Sequence, residues 1–241
     1  MAALVAGALQ RRDAVARAEA AAAEVAVRAE RRGVLLRELQ HRAKNNLALV
    51  AAMLARERRT ATTEQDTRAA ERLGRLMQRV TAVALAQDRL SGVEGGGTAD
   101  GTGTDLAGYL RALLGSLDLS LGGRVVFEVE LDSCVLPFDK AVAAGLVVNE
   151  LVTNAAKHAY PEGEEGIVRV ALQTDELRAE AALTVADEGR GTDPAKVAAR
   201  RAGGGQGFEL LRHLARQLGG DIEQGTPERG TSITIRFPLV L

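Results

Sequence analysis

The first proline in this chain is Pro137. Everything before it lacks the one residue that reliably breaks a helix. The first third is mostly Ala, Leu, Arg and Glu, which are among the strongest helix formers, so it reads as long helix. Two breaks interrupt it. Near residue 60 the text changes to "RRTATTEQDT", with Thr62 or Thr63 as the expected N-cap of a second helix. Residues 91–104, "SGVEGGGTADGTGT", read as a flexible linker. The expectation is a helical hairpin, then a joint, then something different.

Composition narrows the class. The formal net charge is −1, which argues against a general nucleic-acid binder. Cys134 is the single cysteine, so there is no disulfide framework and no thiolate zinc cage. A reducing, cytoplasmic setting fits. The Ala-rich opening resembles an export signal only superficially, because its arginines follow the apolar stretch instead of preceding it. No apolar run approaches the ~20 residues that span a bilayer.

Beyond the linker the pattern is mixed. "DLAGYLRALLGSL" reads as helix, "RVVFEVEL" as a strand, and "FDKAVAAGLVVNELVTNAAKHAY" as a helix of about twenty residues. "GIVRVALQT" and "AEAALTVAD" read as strands. "GFELLRHLARQLGG" reads as a helix stopped by glycines, and "DIEQGTPERGTSITIRFPLV" closes as a strand pair. The expected fold class is α+β, with helices on one face of a mixed sheet.

Two stretches carry chemistry-bearing residues on helices. At ~100° per residue, Leu36, Leu39, Ala43, Leu47, Val50 and Leu54 share one stripe of the first helix. His41 falls roughly 160° from the centre of that stripe, which directs it to solvent. Glu38 and Asn45 stand one turn either side of it and Lys44 three residues on, within side-chain reach. The second helix has its own stripe of Leu73, Leu76, Met77, Val80 and Ala84. Two such hairpins would cover each other as a four-helix bundle, so a homodimer is expected. Taken alone, an exposed histidine on a charged helix face carries little information.

On the helix that starts at Phe138, Val148, Val152 and Ala155 form an inner face. Glu150, Asn154, Lys157 and His158 follow on the opposite face. An amide oxygen suits Mg²⁺, two potential cations suit phosphate oxygens, and a carboxylate can order a water or accept a proton. In "LTVADEGRG", Asp187 ends an apolar strand, where it can accept a hydrogen bond from an exocyclic amine such as adenine N6. Gly189 and Gly191 let the backbone pass close to a flat ring. In "AGGGQGFELL", a glycine loop runs into a helix start, a natural phosphate site, and Leu211, Leu214 and Leu218 anchor that helix.

These segments, in this order, resemble the Bergerat ATP-binding domain of histidine kinases and of gyrase- and MutL-type ATPases. "NELVTNAAKH" resembles the N box, "DEGRG" the G1 box, "GGGQGF" the G2 box, and "GTSITIRFP" the closing strand. "ELQHRAKNNL" resembles the phosphoacceptor box of HWE-like histidine kinases. The resemblance implies residues 1–32 as a signalling helix, 33–96 as a dimerisation and histidine phosphotransfer domain, and 97–241 as an α/β sandwich that binds ATP.

It further implies His41 as phosphoacceptor, served by Glu38, Lys44 and Asn45. Asn154 would hold Mg²⁺ with Glu150 beside it, and Lys157 and His158 would meet phosphates. Asp187 would read adenine, and Gly189, Gly191, Gly205, Gly207 and Thr231 would complete the ATP pocket. An aspartate on a response regulator would receive the phosphoryl group. The sequence departs from the family at Glu188, where Asn is frequent, at Gln206, where an apolar residue is usual, and at Arg42, where many histidine kinases carry an acid. Two other functions share part of this pattern: a Bergerat ATPase without phosphohistidine, and a non-catalytic adaptor that docks a regulator.

Overall fold

The computed structural model describes residues 2–91, 103–161, 164–191, 206–225, 227 and 229–239. Within the first helix, the side chains of 2–23, 26, 29, 32, 36, 37, 40 and 41 lie outside that description. The chain divides into two units, Met1–Asn46 and Leu47–Leu241.

A single helix, α1 (Ala2–Thr63), begins the chain and supplies all of the first unit. The described side chains there are mostly exposed. Two ion pairs at i, i+4 spacing support the helix, Glu24 with Arg28 and Glu38 with Arg42, each at 2.7 Å.

In the second unit α1 ends and α2 (Thr67–Ser91) begins. The expected cap at Thr62 or Thr63 is not formed. Their hydroxyls donate back to the carbonyls of Arg58 and Arg59 inside α1, a local bond that threonine makes readily in a helix. The turn falls at Glu64–Asp66, and Asp66 caps α2 by accepting from the Ala69 N–H at 2.9 Å. The expected linker lies almost wholly outside the described residues.

The remainder is two layers. Helices α3 (Leu106–Leu121), α4 (Phe138–His158) and α5 (Gln206–Leu218) cover one face of a five-stranded sheet. Its strands are β2 (Val125–Leu131), β4 (Gly166–Asp175), β5 (Glu180–Asp187), β6 (Asp221–Gly225) and β7 (Thr231–Pro238), in the order β2-β4-β5-β7-β6. The β2–β4 pair is parallel and the other pairs are antiparallel.

Burial alternates along the strands: Val168, Val170 and Leu172 on β4, Leu183 and Val185 on β5, Ile233, Ile235 and Phe237 on β7. That period of two aims one side of the sheet at the helices. Val148, Val152 and Ala155 of α4 are buried there, and so are Leu211, Leu214 and Leu218 of α5. The α+β reading and the mixed sheet hold. Two strands were not foreseen, β1 (Thr104–Asp105) and β3 (Val135–Leu136), which pair with each other. At two residues each they carry no readable alternation.

Helix α2 has two buried aspects where the sequence indicated one. Leu73, Met77, Val80 and Ala84 are partly buried, but Leu76 is 45% exposed. The tightest contacts are made by Ala82 and Ala86, both fully buried. The buried Tyr109 of α3 donates its hydroxyl to the Ala82 carbonyl at 2.9 Å, which ties α2 to the layer of helices above the sheet.

Candidate functional site

Helix α4 carries the central stripe. Asn154, Lys157 and His158 are exposed on it, as the spacing indicates. Glu150 departs from that pattern. It is buried, and its Oε1 accepts from Nε of Arg79 at 2.9 Å. Arg79 lies on α2, so α2 covers the part of the stripe that carries the carboxylate. A carboxylate taken from water needs such a partner.

The neighbourhood of Lys157 is strongly charged. Partial burial first, and then the Arg75 charge, holds its ammonium below the ordinary lysine range, while Glu71 and Glu150 pull the other way. A cavity of about 430 Å³ opens on this side of α4, with Arg58, Glu71, Gln78, Ser120 and Lys157 among its walls. Asp187 does not line it.

The Asp187 turn is built from β5, β7 and the end of α4. Asp187 is the last residue of β5 and pairs in register with Thr231. Its Oδ1 accepts from the Gly189 N–H at 3.0 Å, and the N–H and hydroxyl of Thr231 also bond to its carboxylate. Burial pushes the carboxyl up from its ordinary value and these bonds oppose the rise. Thr231 is thus seen bonded directly to the group expected to read the nucleotide base.

Two glycines make the turn possible. A Cβ on Gly189 would lie 2.3 Å from the Ala159 carbonyl oxygen. Gly230 has φ +80°, and a Cβ there would meet the Asp187 carbonyl oxygen at 1.7 Å. The turn is also tied to α4 through Arg190. Its N–H donates to the Ala159 carbonyl at 3.0 Å and its Nε to the His158 carbonyl at 2.9 Å. Gly191 follows in the left-handed region at φ +70°. Glu188, the departure noted in sequence, is engaged by Arg169 of β4 at 2.7 Å.

The other expected residues divide as follows. Gly207 falls in the first turn of α5, whereas Gly205 lies outside the described residues. Lys44 and Asn45 are exposed on α1. The Glu38 carboxylate accepts from Arg42 at 2.7 and 3.2 Å. The side chain of His41 lies outside the described residues, although its backbone is helical. Arg79, Tyr160 and Arg190 were not foreseen: a charged residue in a helical repeat and a residue just past a helix end give no periodic signal.

The residues present fit a magnesium nucleotide. An exposed amide and a cation stand on α4 (Asn154 and Lys157), and a carboxylate held by the Gly189 N–H closes β5. Among the described residues no group of three or more His, Cys, Asp or Glu side chains could hold a metal by itself. A metal with few protein ligands and shared phosphate oxygens is the usual arrangement for Mg²⁺. No helix among the described residues is long and apolar enough to cross a membrane.

Residues 139–241 match the family described as histidine kinase-, DNA gyrase B- and HSP90-like ATPase. Residues 38–120 match a family described as histidine kinase. The chain is 27% identical over 208 residues to blue-light-activated histidine kinase 2 of Erythrobacter litoralis, covering 85% of this chain and 57% of that protein. It is 30% identical over 210 residues to the sensor histidine kinase PdtaS of Mycobacterium tuberculosis, covering 85% and 39%. The chain thus spans little more than half of the first relative and less than half of the second. In structure it resembles the histidine kinase domain of a blue-light-activated histidine kinase from Erythrobacter litoralis, with a TM-score of 0.61 at 27% identity, covering 84% of this chain and 89% of that one. These two matches in this order, a histidine kinase segment followed by a histidine kinase-type ATPase domain on the fold described above, place the chain in the histidine kinase family.

Proposed function

We propose that this chain transfers the γ-phosphoryl group of ATP to His41 and passes it on to an aspartate of a response regulator. The observation that carries this reading is the tethered Asp187 turn on the end of α4, the helix that also presents Asn154, Lys157 and His158. The carboxylate accepts from the amine of adenine. Lys157 and His158 meet phosphate oxygens. Asn154 offers its amide oxygen to Mg²⁺, which when bound neutralises charge on the transferring phosphoryl group.

His41 attacks phosphorus with an unprotonated ring nitrogen, and the electron pair of the broken bond leaves on the ADP oxygen. Neutral imidazole is competent near pH 7. Glu38, steadied by Arg42, is the group proposed to set the tautomer, and Lys44 and Asn45 to meet the incoming charge. Glu150 lies under Arg79 in the arrangement described, so α2 must yield before Glu150 orders a water or accepts a proton at the nucleotide. We also propose residues 33–96 as the dimerising and phosphotransfer segment. Leu49, Val50, Met53 and Leu76 are 43–56% exposed, which supports a second copy covering this hairpin.

The test is labelling with γ-labelled ATP, scored for acid-labile, alkali-stable phosphate. Wild type takes up label that chases to a receiver-domain aspartate. Label that is stable to acid, or phosphate release with no labelled chain, would refute the reading.

A further inference from the structure

We infer that Tyr160 is a positioning residue for nucleotide selection, its hydroxyl fixing the backbone beside Asp187 so that the carboxylate faces an adenine amine. This rests on the reading of Asp187 as the group that contacts the base.

Tyr160 lies two residues beyond the end of α4 and is partly buried. Its hydroxyl makes three hydrogen bonds. It accepts from the Glu188 N–H at 3.0 Å and the Ile167 N–H at 3.1 Å, and it donates to the Ile167 carbonyl. A phenol has one proton to give and two lone pairs to offer, so every bond it can make is made to backbone.

The placement explains the purpose. The β4–β5 ladder ends with Val168 opposite Asp187. The next pair would be Ile167 and Glu188. There the phenol oxygen takes the N–H of both residues. Tyr160 therefore stands in for the next rung, and it splits β5 from β4 at the residue after Asp187. It belongs to the same segment that holds the rest of the turn, since His158 and Ala159 accept from Arg190. Three consecutive residues, 158–160, thus receive the turn 188–190.

Burial, and after it the charges of Asp187 and Glu188, hold the phenol above its ordinary range. It stays a neutral donor and acceptor at physiological pH. The carboxylate can then favour one base only while its direction is fixed. An adenine amine donates to it, whereas guanine presents a carbonyl at that position and is repelled.

The experiment measures Kd for Mg-ATP and Mg-GTP on the whole 241-residue chain, for wild type, Tyr160→Phe and Asp187→Ala. Tyr160→Phe is expected to weaken ATP about tenfold and leave GTP unchanged, the size of one lost set of hydrogen bonds. An unchanged ATP-to-GTP preference overturns the inference, whether both nucleotides bind as in wild type or weaken together. Asp187→Ala separates the two claims. If it abolishes the preference while Tyr160→Phe keeps it, only the role of Tyr160 falls. If it keeps the preference, the reading of Asp187 falls and takes this one with it. Should Tyr160→Phe not fold, Gly166→Ala gives the same readout with the hydroxyl retained. A Cβ there would lie 2.1 Å from the Tyr160 ring, and the expected result is the same loss of preference. An unchanged preference in Gly166→Ala overturns the inference equally.

Discussion

Arg79 of α2 holds the carboxylate of Glu150 on α4, Nε to Oε1, at 2.9 Å. The two residues are 71 positions apart in the chain, and the pair joins the helical hairpin segment to the ATPase layer. Glu150 is 9% exposed and Arg79 35%. The partner that water can reach contributes less than a fully buried one would, and the carboxylate is the one that depends on the pair.

Arg79→Ala is therefore expected to cost about 1–2 kcal/mol of unfolding free energy, less than the loss from breaking a wholly buried pair. Urea unfolding measures it. In a Glu150→Gln background the same substitution should cost less, because no charge is stranded. Equal costs in both backgrounds would mean that the pair carries no coupling.

Asp187 should leave a mark on stability against pH. Burial pushes its carboxyl above the ordinary value of 3.8. A native state with the higher pKa keeps its proton longer than the unfolded chain. The stability that Asp187 contributes is complete below 3.8 and is lost as pH rises through the folded value. Asparagine does not titrate. The stability of wild type minus that of Asp187→Asn should fall as pH climbs from 3.8, then level off towards neutrality. A difference that does not vary with pH would contradict this cause of the shift.

Gly189→Ala tests the close approach of the turn to α4. The added carbon would fall 2.3 Å from a backbone oxygen that cannot swing aside. The expected cost is about 1–3 kcal/mol, as for other overpacked sites, together with weaker ATP binding. Thermal unfolding and nucleotide titration on one preparation check both. Wild-type values in both would show that the turn has room to move.

Asn154→Ala removes the amide proposed to meet Mg²⁺ while leaving Asp187 intact. Autophosphorylation should fall at least tenfold, the effect of losing roughly 1.4 kcal/mol of transition-state stabilisation. Added Mg²⁺ should recover part of it. A wild-type rate at limiting Mg²⁺ would remove Asn154 from the metal site.

Much of this molecule was legible because its signals are local. Pro137 and the apolar repeat after it define α4, and the observed helix starts at Phe138 as read. The strand ending in Asp187 and the helix anchored by Leu211, Leu214 and Leu218 follow from alternation and from 3.6-residue periodicity. What escaped depends on distant partners. The burial of Glu150 is set by an arginine on α2 and could not be read from α4. The tight face of α2 is built on Ala82 and Ala86, whose small side chains give a weak hydrophobic signal. The cap moved to Asp66 because Thr62 and Thr63 found nearer acceptors inside α1. Tyr160 lies just past a helix, where no repeat marks it.

Transfer of the phosphoryl group to His41 is tested by removing its imidazole. Wild type and His41→Gln are incubated with γ-labelled Mg-ATP, label on the chain is counted, and ATP binding is titrated on both. Loss of acid-labile label with ATP affinity unchanged is the predicted result. Label retained on His41→Gln at the wild-type level would contradict it and move the acceptor elsewhere.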